Sequence, residues 1–496
     1  MRKMDLMKCL FACWLGLFLS MFSAMAAGPN VLFIISDDLN ATLGCYGDTR
    51  IQTPNIDALA KRGVRFENAY CQYPLCGPSR NSMLTGLYPN STGIVANSQI
   101  FRQTIPKQHS LSQAFRLKNY FAARIGKLYH YNVPKSVGTN GHDDPGSWEL
   151  ELNPAGCDRL EEESEIFSLK PGSFGGTLSW YASPNPDPRH TDAMLAKDAE
   201  WVLERCANEP ERPFFLAVGF YRPHTPYVAP KSYFDPYDVA AMPVVQDWEE
   251  DQKDIPKAGL GSHKKEHDLL TDPLRRQAIQ AYYASISFMD AQVGRVVATL
   301  DRLGLSDNTI IVFTSDHGYH MGEHGLWQKQ SLFEQSARVP LLIVAPGVSR
   351  AGGVAKAPVG LIDLYPTLTE LCDVPAPTNL QGQSLAAMLK DPSEPGQGWA
   401  LTHVQRRAKN GRFDGYSLRT PRWRYTEWDG GKQGRELYDR ESDPLELTNL
   451  AEGKEQAHVM QELAKQLQEV LPTTFPKSGK RPSLAPKTWA PNLTNP

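Results

Sequence analysis

The sequence predicts an α/β protein, with a large mixed but mostly parallel sheet flanked by helices and a smaller α+β unit at the C-terminal end. Three observations carry that expectation. Four runs, "NVLFIIS" from Asn30, "PFFLAVGF" from Pro213, "NTIIVFTS" from Asn308 and "VPLLIVAPG" from Val339, are continuously apolar rather than alternating, the pattern of strands buried on both faces of a covered sheet. Helical patterns with start and stop signals lie between them, as in a parallel α/β arrangement. After "LIDLYPTLTELC" the texture changes to a linker-like "PAPTNLQGQS" and then to short strand-like runs.

Taken in order, the chain opens with Arg2, Lys3 and Lys8 ahead of the apolar run "CLFACWLGLFLSMFSA", followed by the small-residue pattern Ala24-Met25-Ala26. Residues 1–27 therefore read as a secretory signal cut after Ala26 or Ala27. An uncleaved anchor is the alternative, because the run approaches spanning length. No later segment is long and apolar enough to span a bilayer. Thr53-Pro54 opens a helix expected to stop at Gly63, and Thr191 is placed to cap another through Cys206. The longest helix is expected from Asp272-Pro273 to Gly304, with Ile279, Ile286, Met289, Val293, Val296, Leu300 and Leu303 forming one apolar stripe. The Gly-, Ser- and Pro-rich stretch 170–188 and the polar stretch 243–268 read as long loops, which in compact domains are usually functional rims or flexible. "DGYSLRT" and "WRYTEW" read as strands, residues 454–470 as an amphipathic helix, and the Pro- and Lys-rich tail after Leu471 as an extended strap or disordered. The expected division is 1–27 signal, 28–375 catalytic α/β domain, and 376–496 a smaller unit with antiparallel sheet, helix and tail.

Length and charge bound the function. The 496 residues exceed what one core usually holds. The 52 basic and 55 acidic residues nearly cancel, so nothing calls for nucleic acid or an anionic membrane as a partner. After loss of Cys9 and Cys13 with the signal, Cys45, Cys71, Cys76, Cys157, Cys206 and Cys372 remain, too scattered for a disulfide framework and without a CxxC zinc pair.

Two of the apolar strands end in acids: the first runs into Asp37-Asp38, the third into Asp316-His317. Ligands of open α/β sheets bind beyond the carboxyl ends of the strands. Adjacent carboxylates there need a cation or hydrogen bonds to compensate them. Two such ends converging on one edge would suit Ca²⁺ or Mg²⁺. Cys76 precedes Gly77-Pro78, and Pro78 suits the first turn of a helix. Its side chain would sit where backbone N–H groups favour negative charge, fitting a low-pKa thiolate or an anion-binding reaction centre; a buried structural thiol, or a disulfide to Cys71, is equally compatible with the spacing.

"CGPSRNSMLTG" matches CxPSRxxxLTG, the signature of type I sulfatases of the alkaline phosphatase superfamily, and "SDDLN", "DHGYHMGEHGLWQK" and "ELYDRESDPLELTNL" resemble that family's other landmarks in order. Within it, "LGCYGD", "GKLYH", "HDDP" and "FFLAVGFYRPHTPY" are most similar to iduronate-2-sulfatases. The resemblance implies an alkaline phosphatase-like fold. It also implies conversion of Cys76 to formylglycine by a formylglycine-generating enzyme, and Ca²⁺, with Mg²⁺ second, held by Asp37, Asp38, Asp316, His317 and the residue made from Cys76. Arg80 would hold the diol or neighbouring carboxylates, Lys127 the diol or sulfate, and His130 would be the base that helps eliminate sulfate. His224 would bind sulfate and protonate the leaving oxygen, and Lys329 would neutralise the sulfate. Asp144 and Trp327 would belong to a sugar-binding rim. The implied activity is hydrolysis of a sulfate ester on a sulfated oligo- or polysaccharide, with the 2-O-sulfate of iduronate or a related uronate foremost. Export to periplasm, lysosome or medium is expected. A phosphonate or phosphodiester hydrolase of the same superfamily, or a glycan-binding protein with unmodified Cys76, are the competing readings.

Overall fold

The computed structural model describes residues 28–409 and 411–484; the expected signal segment lies outside them. The large sheet has nine strands. In chain order they are β1 (Asn30–Ser36), β2 (Val64–Tyr70), β3 (Phe121–Gly126), β4 (Leu150–Leu152), β5 (Phe214–Gly219), β6 (Thr309–Ser315), β7 (Arg338–Val344), β8 (Gly353–Ala355) and β9 (Val359–Gly360). They lie in the order β8, β2, β7, β6, β1, β5, β3, β4, with β9 also on β2. β1 sits at the centre, parallel to both neighbours, with Val31 opposite Phe215 and Ile310. β7 alone runs against the rest, antiparallel to both β6 and β2. Mixed, mostly parallel and covered on both faces, the sheet is the one the apolar runs predict.

Alternate side chains of β1 feed two cores. Leu32 and Ile34 pack with α1 (Pro54–Ala60), α4 (Thr191–Ala207) and α5 (Asp272–Arg302), while Val31, Phe33 and Ile35 pack with α2 (Cys76–Thr85), α3 (Leu111–Leu117) and α6 (Leu364–Leu371). This period-2 division is what a strand buried on both faces requires. Helix ends differ slightly from expectation. α1 stops at Ala60 because Gly63 must pass the Ile343 carbonyl so closely that a Cβ would sit 2.2 Å from its oxygen. Thr191 is the first helical residue rather than the cap, its hydroxyl donating instead to Asp158 Oδ1 at 2.7 Å.

The expected loop 170–188 is not wholly irregular: Ser179–Ser183 pairs in parallel with Tyr227–Pro230 and antiparallel with Phe167–Ser168. The C-terminal strands β10 (Ala400–Ala408), β11 (Gly411–Arg419), β12 (Trp423–Trp428) and β13 (Arg435–Asp439) form an antiparallel meander, and α7 (Ala457–Val470) packs Leu463, Leu467 and Val470 against it. Through residue 484 the tail is a strap, pinned where Arg481 donates to Asp414 Oδ2 and Asn90 Oδ1, each at 2.8 Å. Among the described residues no helix is long and apolar enough to cross a membrane.

Candidate active site

The parallel strands deliver chemistry to one edge. Asp37 and Asp38 follow β1, Asp316 and His317 follow β6, Lys127 and His130 follow β3, and His224 lies in the loop after β5. Cys76 opens α2, reached from the end of β2, and Lys329 lies in the segment entering β7, whose reversed direction puts its amino end at this same edge. Two glycines let β3 and β5 end in contact. A Cβ at Gly126, where φ is +72°, would lie 2.3 Å from the Gly219 carbonyl oxygen, and one at Gly219 would lie 2.1 Å from that of Lys127. Asp38, Gln328 and Gln330 are non-glycine residues at positive φ, a strained backbone state that clusters at functional sites.

All the expected catalytic and metal-site residues converge. Cys76 Sγ lies 3.3 Å from His317 Nε2, 3.1 Å from Lys329 Nζ and 3.8 Å from Asp38 Oδ1. Arg80, one turn along α2 and fully buried, donates from Nε to Asp316 Oδ2 at 2.9 Å and from Nη2 to Asp37 Oδ1 at 3.2 Å, joining the acids of two strand ends. Lys127 Nζ donates to Asp37 Oδ2 at 2.5 Å and Lys329 Nζ to Asp38 Oδ1 at 2.5 Å. His224 Nε2 stands 3.7 Å from Asp38 Oδ2, while its Nδ1 faces the Thr225 carbonyl at 2.6 Å. The other five cysteines of the described residues, like Cys76, are free thiols, so Cys71 and Cys76 are not bonded.

Electrostatics separate the groups. Burial alone would push the Cys76 thiol up, but Lys127, Lys329 and His317, with a hydrogen bond from His130, hold it well below the usual thiol value. Burial lowers His130 to about 4, so its imidazole is neutral and free to accept a proton. Asp316 is pushed up to about 6 by burial that Arg80 and His317 only partly offset. For His317 burial opposes charge, yet Asp316 beside it drives the ring up to about 9.

That last pair tests the site for a metal. Asp38, Cys76, Asp316 and His317 each offer one ligand atom within 4.8 Å of the others, and all are buried. His317 Nδ1 faces the Gly318 carbonyl at 2.9 Å, which turns Nε2 inward, the orientation of a metal-ligating histidine. A proton held on His317 is how the cluster offsets its acids. A divalent cation does the same work better, and three carboxylates from Asp37, Asp38 and Asp316 favour a hard one. The residues present fit such an ion.

A cleft of about 420 Å³ opens over this cluster. Its lining includes His130, His142, His224, Lys264 and Lys329 and contains no Asp or Glu. Lys264, from the polar stretch 243–268, is lowered to about 8 by burial and by Lys329 nearby. His142 opens the "HDDP" segment, whose expected rim residue was Asp144 two places on; Lys264 carries no motif, and its only sequence signal is that its segment reads as a long loop at a functional rim. Asp144 and Trp327 are not brought to this cleft. Asp144 is 2% exposed and holds Arg102 through two oxygens at 3.0 and 2.8 Å, an interior ion pair that leaves nothing for a sugar. Trp327, 4% exposed, packs in the core and lines, with Val245, Trp248 and His267, a neighbouring cavity instead.

The family model described as Sulfatase matches residues 29–374, and that described as N-sulphoglucosamine sulphohydrolase, C-terminal, matches 322–472. Iduronate 2-sulfatase of Mus musculus is 30% identical over 532 residues, covering 89% of this chain and 95% of that one. Choline-sulfatase of Rhizobium meliloti is 31% identical over 445 residues, covering 86% and 82%. Among solved structures, the phosphonate monoester hydrolase of Agrobacterium radiobacter superposes with a TM-score of 0.74 at 23% identity, over 90% of this chain and 96% of that one.

Proposed function

The chain belongs to the sulfatase family, whose members hydrolyse sulfate esters, and from that premise we propose that it releases sulfate from an anionic sugar, foremost the 2-O-sulfate of iduronate or a related uronate in an oligosaccharide. The observation that carries the choice of substrate is the cleft lining, with three histidines, two lysines and no carboxylate. Such a lining favours a substrate carrying a carboxylate or a further sulfate besides the scissile one. It disfavours choline sulfate, whose quaternary ammonium would meet two lysines and no acid there, although the choline-sulfatase is as similar to this chain as the iduronate 2-sulfatase.

In this reading Cys76 is converted to formylglycine by a maturation enzyme, and Asp37, Asp38, Asp316, His317 and residue 76 hold Ca²⁺. The hydrated aldehyde supplies a hydroxyl nucleophile and the ion a Lewis acid beside it. Arg80 bridges Asp37 and Asp316 and holds both carboxylates in place. Lys127, wholly buried against Asp37, orients the reacting residue rather than meeting solvent-side substrate. Lys329, at the cleft wall and beside Cys76, draws in the sulfate oxygens and stabilises charge as the ester bond breaks. His224 has its Nδ1 tied to a carbonyl, leaving Nε2 to protonate the departing sugar oxygen. His130, kept neutral by burial, accepts the proton whose loss expels sulfate from residue 76. We place the catalytic unit at 28–375, the smaller unit at 376–496, and the protein in an exported compartment, from the composition of 1–27.

The test is sulfate release from 2-O-sulfated uronate disaccharides and choline sulfate, and phenol release from an aryl phosphodiester, with peptide mass analysis of residue 76. The expected result is release from the disaccharide well above the others, a residue 76 lighter than cysteine, and none of this in Cys76→Ala. Unchanged sulfate release by Cys76→Ala defeats the mechanism, and choline sulfate as the best substrate defeats the specificity.

A further inference from the structure

A second cluster of metal-type ligands lies where the His224 loop is pinned to the segment before α4. Cys157, Asp158 and His190 are 2%, 6% and 0% exposed, and one ligand atom from each lies within 4.8 Å of the others. Asp158 Oδ1 accepts from the Thr191 N–H and hydroxyl at 2.8 and 2.7 Å, and Oδ2 accepts from Arg222 at 2.5 Å, two residues before His224. That leaves a lone pair on Oδ2.

Two buried side-chain atoms at this place have no nitrogen or oxygen partner. His190 Nε2 faces the Asn185 carbonyl oxygen at 3.2 Å, a contact in which the ring nitrogen must donate. Nδ1 is then the lone-pair nitrogen, and it has no hydrogen-bond partner although the side chain is fully buried. Glu162, 5% exposed, accepts Ser183 and Asn185 on Oε1 at 2.5 and 2.7 Å and leaves Oε2 with no partner but the nearby Cys157 thiol. An orphaned buried acceptor is costly, and two beside a thiol and a second carboxylate form a concentration of lone pairs without a cation to receive them.

We propose that Cys157, Asp158 and His190 form a second, structural metal site for a borderline-soft divalent ion, zinc before others, with Glu162 beside it as a further acid. The donor set is sulfur, imidazole and carboxylate, which suits zinc and contrasts with the three carboxylates at the sheet edge. The Asn185 carbonyl fixes the His190 tautomer as outer-shell partners of metal-bound histidines do. Zinc–sulfur and zinc–nitrogen bonds of about 2.3 and 2.0 Å put tetrahedral ligands roughly 3.5 Å apart, a spacing reached from atoms within 4.8 Å of one another by small side-chain movements. Binding displaces the Cys157 proton to solvent and changes no oxidation state. Burial, then Glu162 and Asp158, push that thiol up to about 12, so the ion binds more tightly as pH rises. Once bound, it ties the Cys157–Leu160 turn to the start of α4 and, through Asp158 and Arg222, to the His224 loop.

The test uses the full chain carrying Cys76→Ala, which removes the other thiol placed among metal ligands. It is stripped with chelator, supplied with excess calcium, and titrated with cobalt. The expected result is one cobalt per chain with a thiolate-to-cobalt charge-transfer absorption that zinc abolishes, and its loss when Cys157→Ser or His190→Gln is added. Should those variants fail to fold, zinc-edge X-ray absorption of the Cys76→Ala chain itself must show one sulfur and one imidazole neighbour. Absence of the band, its survival in either folded variant, or zinc coordinated by oxygen and nitrogen alone overturns the proposal and leaves a buried water as the partner of His190 Nδ1.

Discussion

Cys71 and Cys76 are both fully buried, five residues apart, and their thiols are pushed in opposite directions. For Cys71 burial dominates and Asp316 adds to it, so the thiol is inert. For Cys76 two lysines and His317 outweigh the same burial. The difference lies in neighbours drawn from three separate strand ends, which is why spacing alone could not separate a half-cystine from a reagent. The same reasoning gives a test of His224. An acid that protonates the leaving oxygen matters most when that oxygen leaves badly. His224→Gln is therefore expected to cut kcat on a sugar sulfate by about 10²–10⁴-fold and far less on an aryl sulfate whose phenol leaves unaided; equal losses on both would remove His224 from that role. Asp144 shows the converse limit. Its "HDDP" context was visible, but its partner Arg102 lies 42 residues earlier, and only the pair reveals an interior carboxylate.

At the scale of elements, the meeting of β3 and β5 sets the position of Lys127. Gly219→Ala must push its new Cβ against the Lys127 backbone. A loss of roughly 1–3 kcal/mol is expected from such overpacking, read from the urea midpoint, together with a fall in kcat that a purely structural change elsewhere in the sheet would not bring. In the C-terminal meander, Glu436 lies buried between Trp428 Nε1 at 2.5 Å and Tyr438 OH at 3.0 Å, both donating to it. Burial outweighs these bonds and raises its carboxyl to about 7. The folded chain thus holds this proton more tightly than the unfolded one, so the stability it lends is full below about pH 4.5, declines as pH rises, and is gone above about 7. Glu436→Gln should flatten the fall in melting temperature over that window and melt above the parent at pH 8; an unchanged pH profile would show the acid to be compensated by another group.

For the molecule as a whole, the small sheet is joined to the catalytic edge. Arg406 of β10 donates to the Gln330 carbonyl at 2.7 Å and to the Ala258 carbonyl at 2.9 Å, bracketing Lys329 from one side and the loop of Lys264 from the other. Arg424 of β12 donates to the Leu332 carbonyl at 3.0 Å and pairs with Glu446 at 2.5 Å and with Glu334. Arg406→Ala is expected to lower kcat/KM about tenfold, about 1.4 kcal/mol, with Arg406→Lys recovering part of it; a variant with parental kinetics would reduce the small sheet to a bystander. The sequence by itself determined the sheet class, the central helices and the placing of Asp37, Asp38, Asp316 and His317 at strand ends, because each rests on a short continuous run whose backbone direction carries its end residues with it, while the grouping of Cys76 with them came from the family resemblance. The tertiary structure alone decided that β7 runs backward to bring in Lys329, that Asp144 and Trp327 turn inward, that Lys264 and His142 line the cleft, and that Cys157 meets His190. Those outcomes depend on strand order and on partners tens to hundreds of residues apart, and no local pattern of side chains encodes a contact made at that distance.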